Sequence, residues 1–335
     1  MISIPARLLD RFAAESVSAI PTDGRLRVTF LGVTTILLDD GKTRIMTDGF
    51  FSRPGLLKIL RGKIAPDEER VAFALSGGRA LGGTNKKPLV NELDAVMTLH
   101  SHYDHAMDTA NVAMRTGATV FGSESTVQIA RGGGVPEDRI CEVRDGDKFK
   151  LGEFVVTVIA AEHSPGIFFR YHGHIKHPLL PPSPMSAYRE GGSYAYLIEH
   201  RSRRILILGS AGYRKDMLRG VKADVVFLPV GKLGNQDKKF MQEYWQETVT
   251  ETDPHQVFLT NWDNFFLPLD RPLEPFLLID DFEAAMEFLV PQAKATGVDL
   301  FVPKAFQTVA LSELRSNANV TDASNLTLHR CSALN

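Results

Sequence analysis

The sequence predicts an α/β protein in which two β-sheets face each other and helices cover the outside. Apolar and alternating runs of strand length recur along the chain, and amphipathic helical runs lie between them. The pattern then restarts after a proline-rich stretch at 168–192, giving similar halves. A sheet has to bury one face and an amphipathic helix one stripe, so packing sheet on sheet with helices outside satisfies both. The chain has 335 residues, 44% hydrophobic and 23% charged, enough to bury such a core. The expectation is a single domain over 1–335, with a core of about 25–270 and a C-terminal extension at 271–335.

The elements follow in order. Residues 1–20 carry Arg7, Asp10, Arg11 and Glu15 among apolar residues, which reads as a short amphipathic helix and not as a secretory leader. Residues 25–31 alternate as a strand. Residues 34–38 and 43–47 make a hairpin around Asp39-Asp40-Gly41-Lys42, ended by Asp48-Gly49. Residues 50–92 read as an irregular loop. The pairs Gly77-Gly78 and Gly82-Gly83 lack the G-x-x-x-x-G-K-[ST] spacing of a phosphate cradle. Residues 94–100 form a buried strand, 105–116 a helix and 118–121 a strand. Ser123 caps a further helix that Gly132-Gly133-Gly134 ends. Residues 153–160 are a strand leading to His163. Pro178, Pro181, Pro182 and Pro184 keep 168–192 out of regular structure. The second half reads as strands 193–199 and 204–208 across Arg201-Ser202-Arg203, then a helix near 213–219 and a strand at 223–229. A helix at 237–250, a strand at 256–260, a helix at 280–289 and a strand at 298–302 complete it.

The 38 basic and 40 acidic side chains give a net charge of −2, so nothing points to a nucleic-acid or anionic-membrane partner. No stretch reaches the roughly 20 apolar residues needed to span a bilayer. Cys141 and Cys331 cannot form a disulfide framework, which fits a reducing compartment, and a cytoplasmic location is expected.

The chemistry concentrates in His100-Ser101-His102-Tyr103-Asp104-His105. Residues two apart in an extended segment point to the same side, so His100 and His102 can converge on one ion. Asp104 and His105 follow where the strand turns into a helix, the place where α/β structures put their sites. Imidazole and carboxylate are the usual ligands of zinc.

That run, following an apolar strand that carries Asp94, resembles the signature of the metallo-β-lactamase superfamily, and the likeness extends over roughly 25–270. Asp48 is similar to the family's first motif, His163 to the third, Gly209-Ser210 to the fourth and Thr260-Asn261-Trp262-Asp263 to the fifth. The resemblance implies an αββα sandwich of two facing mixed sheets with helices on the outer faces. It implies zinc held by His100, His102 and His163, with Asp104 and His105 in a second site and Asp48 holding a ligand histidine by its other ring nitrogen. Two positions depart from the family. Its fourth motif is Gly-Asp, with the Asp bridging two metals, where this chain has Ser210; its fifth presents a His, where this chain has Asn261. Serine is a poor zinc ligand and asparagine offers only a carbonyl oxygen. One zinc on the three histidines, with an open position for water, is therefore expected, along with a weak second site. Manganese and iron are the alternative metals. His172-Gly173-His174 again places two imidazoles together. These two histidines, with Ser210, Asn261 and Asp263, are candidates for replacement ligands or substrate contacts.

The implied activity is that of a metal-dependent hydrolase in which zinc activates a water and Asp104 serves as the catalytic proton carrier. Trp262-Asp263-Asn264-Phe265 and the first hairpin resemble the branch with phospholipase-D-like and sugar-lactonase-like members, which points to a phosphodiester, a lactone or another ester as the small-molecule substrate. The alternative is a non-catalytic relative that binds metal or ligand through a degraded second site. A redox diiron protein is disfavoured, since that branch carries Glu where this chain has His102. The extension at 271–335 is expected to cover the site or to make a homo-oligomer contact.

Overall fold

The computed structural model describes residues 26–78, 88–166, 171–201 and 203–311; the amphipathic helix read at 1–20 lies outside them. The first sheet begins as an antiparallel meander of β1 (Leu26–Phe30), β2 (Ile36–Asp39) and β3 (Arg44–Thr47). Its second turn forms because the Asp40 carboxylate accepts from the backbone of Lys42 at 2.8 Å and Thr43 at 2.7 Å, while Gly41 takes φ +89°. The loop expected at 50–92 proves partly regular. It holds helix α1 (Leu56–Leu60), the two-residue strand β4 (Lys63–Ile64) and helix α2 (Glu68–Leu75). The sequence signal for α2 was present: Asp67 caps it by accepting from Arg70 N at 3.2 Å, and Glu68 and Glu69 fill its first turn.

Strand β5 (Ala95–Met97) runs parallel to β3 and leads into helices α3 (Tyr103–Ala106) and α4 (Thr109–Thr116). The helix expected at 105–116 is thus interrupted. At the break, Asp108 gives its carboxylate to Phe51 N (2.7 Å), Ser52 N (2.6 Å) and Ser52 Oγ (2.6 Å). Strand β6 (Thr119–Gly122), helix α5 (Glu124–Gly132), capped by Ser123, and strand β7 (Ile140–Glu142) follow. Cys141 on β7 is buried and is not a free thiol.

The second sheet contains β8 (Lys148–Leu151) and β9 (Phe154–Ala161). Among its described residues, the proline-rich stretch contributes the short β10 (Ser183–Pro184), which pairs with β4, and one 3-10 turn, Met185–Ala187. Then come β11 (Ser193–His200), β12 (Arg203–Leu208) and β13 (Val225–Pro229). The helix expected at 213–219 is a series of turns. Helix α6 (Lys238–Trp245) continues as the π-helical turn Gln246–Thr250, and β14 (Gln256–Thr260) follows. Helix α7 (Phe282–Thr296) runs past the expected end at 289. It carries Pro291 because Leu289, Val290 and Ala293 are buried, and Gly297 at φ +70° ends it.

Strands β15 (Asp299–Phe301) and β16 (Gln307–Leu311) then join opposite sheets. The stretch read as an extension therefore supplies an edge strand to each. The sheets run β16-β1-β2-β3-β5-β6-β7 and β8-β9-β11-β12-β13-β14-β15. In each, taken in that order, antiparallel pairings give way to parallel ones, at β3–β5 and at β12–β13. Between the sheets lie Val28, Phe30, Leu38 and Met97 from one and Val156, Val158, Ile198 and Ile207 from the other. Alternate residues Leu37, Met46, Val96 and Val120 turn outward onto Val71, Ala74, Val112, Ala113 and Val127 of the helices. The architecture is an αββα sandwich. No helix among the described residues is long and apolar enough to cross a membrane.

Candidate metal centre

The site sits where strands of both sheets end. Asp48 follows β3 directly, at φ +54°. His100 and His102 follow β5, and His102 is the residue from which α3 starts. His163 lies just beyond β9. Gly209, Ser210 and Gly212 follow β12, and their small size lets that loop close on the histidines. A Cβ at Gly209 would lie 3.5 Å from His100 Nδ1, and one at Gly212 would lie 2.4 Å from the His163 carbonyl oxygen.

His100, His102 and His163 converge. Their candidate ligand atoms all lie within 4.8 Å of one another, and their rings pack edge to face with centroids 4.7 to 4.9 Å apart. Burial lowers the His100 pKa well below its usual value, with the neighbouring His105 next in effect. Burial and then His163 take His102 down to about 2, and burial lowers His163 as well. All three are therefore neutral imidazoles near pH 7, the form that binds metal. The His163 Nδ1 meets the Ser164 carbonyl at 3.0 Å, and the Tyr171 backbone holds the His102 ring. Both ring nitrogens of His100 and Nε2 of His102 are buried with no hydrogen-bond partner. Leaving a polar atom so costs about 1–3 kcal/mol, so this donor set fits a metal ion.

His105 belongs to a different arrangement. Its Nδ1 lies 2.8 Å from Asp48 Oδ2 and 2.9 Å from Thr34 Oγ1, and Thr34 also donates to Asp48. Leu99 N donates to Asp48 Oδ1 at 2.8 Å. Asp48 thus orients His105 and not a member of the triad. Burial pushes the His105 pKa down, but Asp48 and then Asp104 outweigh it and the net shift is upward. Its Nε2 faces Asp104 Oδ2 at 3.7 Å, and Asp104 opens onto the cavity.

The residues at the departed motifs have structural tasks. Ser210 Oγ accepts from Ser164 N at 2.9 Å, fixing the turn after His163. Asn261, at φ +50°, donates its backbone N–H to Val33 O at 2.7 Å. Asp263 is fully buried, bonded to Arg53 at 2.5 Å and to Val33 N at 2.8 Å. His172 is exposed and meets Glu190 at 3.1 Å, and His174 is exposed; neither lines the cavity. Sequence reasoning missed Lys232 and Asp280, which do line it. A lone lysine after Gly231 and an acid just before a helix carry no pattern that would single them out. Phe276 and Ile279 from the stretch after 270 line it too, beside Tyr103, Met185 and Phe265.

An αββα sandwich with buried, convergent imidazoles at its strand ends is the architecture of the metallo-β-lactamase fold. The chain belongs to that superfamily: the model of the beta-lactamase superfamily domain matches residues 65–262. A UPF0173 metal-dependent hydrolase from Heliobacterium modesticaldum is 24% identical over 220 residues, covering 62% of this chain and 71% of the relative. Among solved structures, an isothiocyanate hydrolase from Delia radicum gut bacteria aligns at TM-score 0.53 and 15% identity, over 85% of this chain and 99% of that one. A diiron beta-hydroxylase from Streptomyces venezuelae aligns at TM-score 0.53 and 16% identity, over 87% and 55%. At such identities these likenesses establish the fold alone.

Proposed function

We propose that the chain is a metal-dependent hydrolase with one ion held by His100, His102 and His163. The observation that carries this is the set of buried ring nitrogens without partners on histidines whose candidate ligand atoms lie within 4.8 Å. The relatives named metal-dependent hydrolases support it. An ion bound there supplies a Lewis acid and brings the pKa of water from 15.7 toward about 7. Zinc suits three imidazoles best, with manganese and iron as alternatives.

The chain's own groups do the rest. Ser164 and Tyr171 fix the rings of His163 and His102 through backbone contacts. Asp104, opening onto the cavity beside His105, takes a proton from the attacking water and returns it to the leaving group. Tyr103, Met185, Phe265, Phe276 and Ile279 form an apolar wall that excludes bulk water and accepts a compact apolar body. An ester, lactone or phosphodiester of that shape is the proposed substrate class. The altered Ser210 and Asn261 favour a second reading, a relative that binds metal without turnover.

The test is metal analysis of the full chain together with a panel of chromogenic lactones and phosphodiesters, zinc, manganese and iron being added separately. The reading expects a bound ion, metal-dependent hydrolysis, and loss of both in His102→Ala. Undiminished hydrolysis in His102→Ala would overturn it. A bound ion with a silent panel would favour the second reading.

A further inference from the structure

We propose that the Lys232 ammonium takes the electrostatic place of a second ion at this centre, so that the site works with one metal and one built-in cation. This rests on the metal-hydrolase reading above.

Four acidic groups reach the region: Asp48, Asp263, Asp104 and, beside Lys232, Asp280. Asp48 is committed to His105 and Thr34, and Asp263 to Arg53. Among the described residues, Asp104 pairs with the edge of His105 alone, at 3.7 Å. Ser210 is turned to Ser164 N, and the Asn261 backbone is tied to Val33. Neither position supplies the negative charge that would draw in another divalent ion.

Lys232 lines the same cavity as Asp104, His163 and Asn261. Several features hold it there. Its backbone is in the left-handed region, at φ +63°, a conformation a side-chain-bearing residue keeps only when its surroundings enforce it. Its backbone N–H donates to Asp280 Oδ2 at 2.9 Å. The preceding Gly231 packs so closely on Asn261 that a Cβ would lie 2.9 Å from the Asn261 carbonyl oxygen. On the far side, the ammonium comes within 3.5 Å of where a Cβ of Gly166 would stand, three residues beyond His163. Burial lowers the Lys232 pKa, and the charges that oppose this are first Asp104 and then Asp280. The other oxygen of Asp280, Oδ1, is buried in the same cavity wall with no partner. The loop after β13 thus brings a positive charge into the cavity that Asp104 and Asp280 line.

A divalent ion approaching Asp104 and His105 would meet that ammonium. Removing a unit charge from the same cavity should strengthen the binding of a cation there by at least about tenfold. The test is titration of the metal-free full chain with Co²⁺, followed by d–d absorption and calorimetry, in wild type, Lys232→Met and Lys232→Arg. The proposal expects one tight equivalent in wild type and in Lys232→Arg. In Lys232→Met it expects a second equivalent bound at least tenfold tighter than any second event in wild type. Two tight equivalents in wild type would overturn it and leave the hydrolase reading standing. So would a Lys232→Met titration that matches wild type while circular dichroism shows the same fold. No binding in wild type would overturn the metal reading and this proposal together.

Discussion

Replacing Arg53 with Met should destabilise the protein by about 4 kcal/mol, the middle of the range for stripping one partner from a buried ion pair. Arg53 and Asp263 are both wholly buried and 2.5 Å apart. Without the guanidinium, Asp263 Oδ2 loses its charged donor and keeps company only through Oδ1, which accepts from Val33 N at 2.8 Å. The carbonyls of Leu267, at 3.2 Å, and Asn264, at 3.4 Å, lose their donor as well. A chain of this size has a urea m-value of about 3 kcal/mol/M or more, so the midpoint should fall by roughly 1.3 M or somewhat less. Fluorescence of the buried Trp245 and Trp262 reports the transition. The double variant Arg53→Met/Asp263→Leu leaves no lone charge inside and should recover most of the loss. If Arg53→Met shifts the midpoint by less than about 0.3 M, equivalent to roughly 1 kcal/mol, the buried pair does not stabilise the fold as its geometry implies.

Asp104→Asn should lower turnover of any substrate the panel identifies by about 100-fold or more while leaving the urea midpoint and the tight metal equivalent in place; an unchanged rate would remove Asp104 from proton transfer. Gly212→Ala drives a methyl into the His163 carbonyl and should weaken metal binding about 10- to 100-fold, read by competition with a chromogenic chelator, and equal affinity would refute the close packing. The histidines also set a pH dependence. His102 is held down to about 2, so below its ordinary value of 6.5 the unfolded chain binds a proton there that the folded, metal-free chain refuses. Stability therefore falls as pH drops from 6.5, with His102 contributing about 1.4 kcal/mol per pH unit at most. His102→Phe should flatten the decline measured in chelator between pH 6.5 and 4.5, and an unchanged slope would contradict the burial argument.

The strands were legible because their signals are local. Asp39-Asp40-Gly41-Lys42 dictates a hairpin on its own chemistry, and β13, expected at 223–229 and formed over Val225–Pro229 with every residue buried, is the continuous apolar run of a central parallel strand. What was missed depends on distant partners. β7 becomes a strand by pairing with β6 across a helix, and β16 by pairing with β1, far away in sequence. The break at Asp108 has the same origin: its carboxylate is drawn to Phe51 and Ser52, more than fifty residues earlier. No window of sequence around 105–116 contains that information.

The centre divides along the same line. His100 and His102 were legible together because two-residue spacing on an extended segment fixes their relation without help from the rest of the fold. The assignment of Asp48 was half legible. Its position as the residue ending an early strand is local, but which imidazole it orients is decided by where α3 begins, and the structure gives it His105. Lys232 was not legible at all, since its place depends on a left-handed turn held by Asp280 and packed on Asn261, neither of which lies near it in sequence. Ser210 and Asn261 looked, in the sequence, like losses from a two-metal centre. In the fold Ser210 secures the turn after His163 and the Asn261 strand end receives the Lys232 loop. On the proposal that Lys232 stands in for a second ion, the departures from the family pattern and that lysine would belong to one arrangement, in which a second ion would find neither a bridging ligand nor a charge deficit to fill.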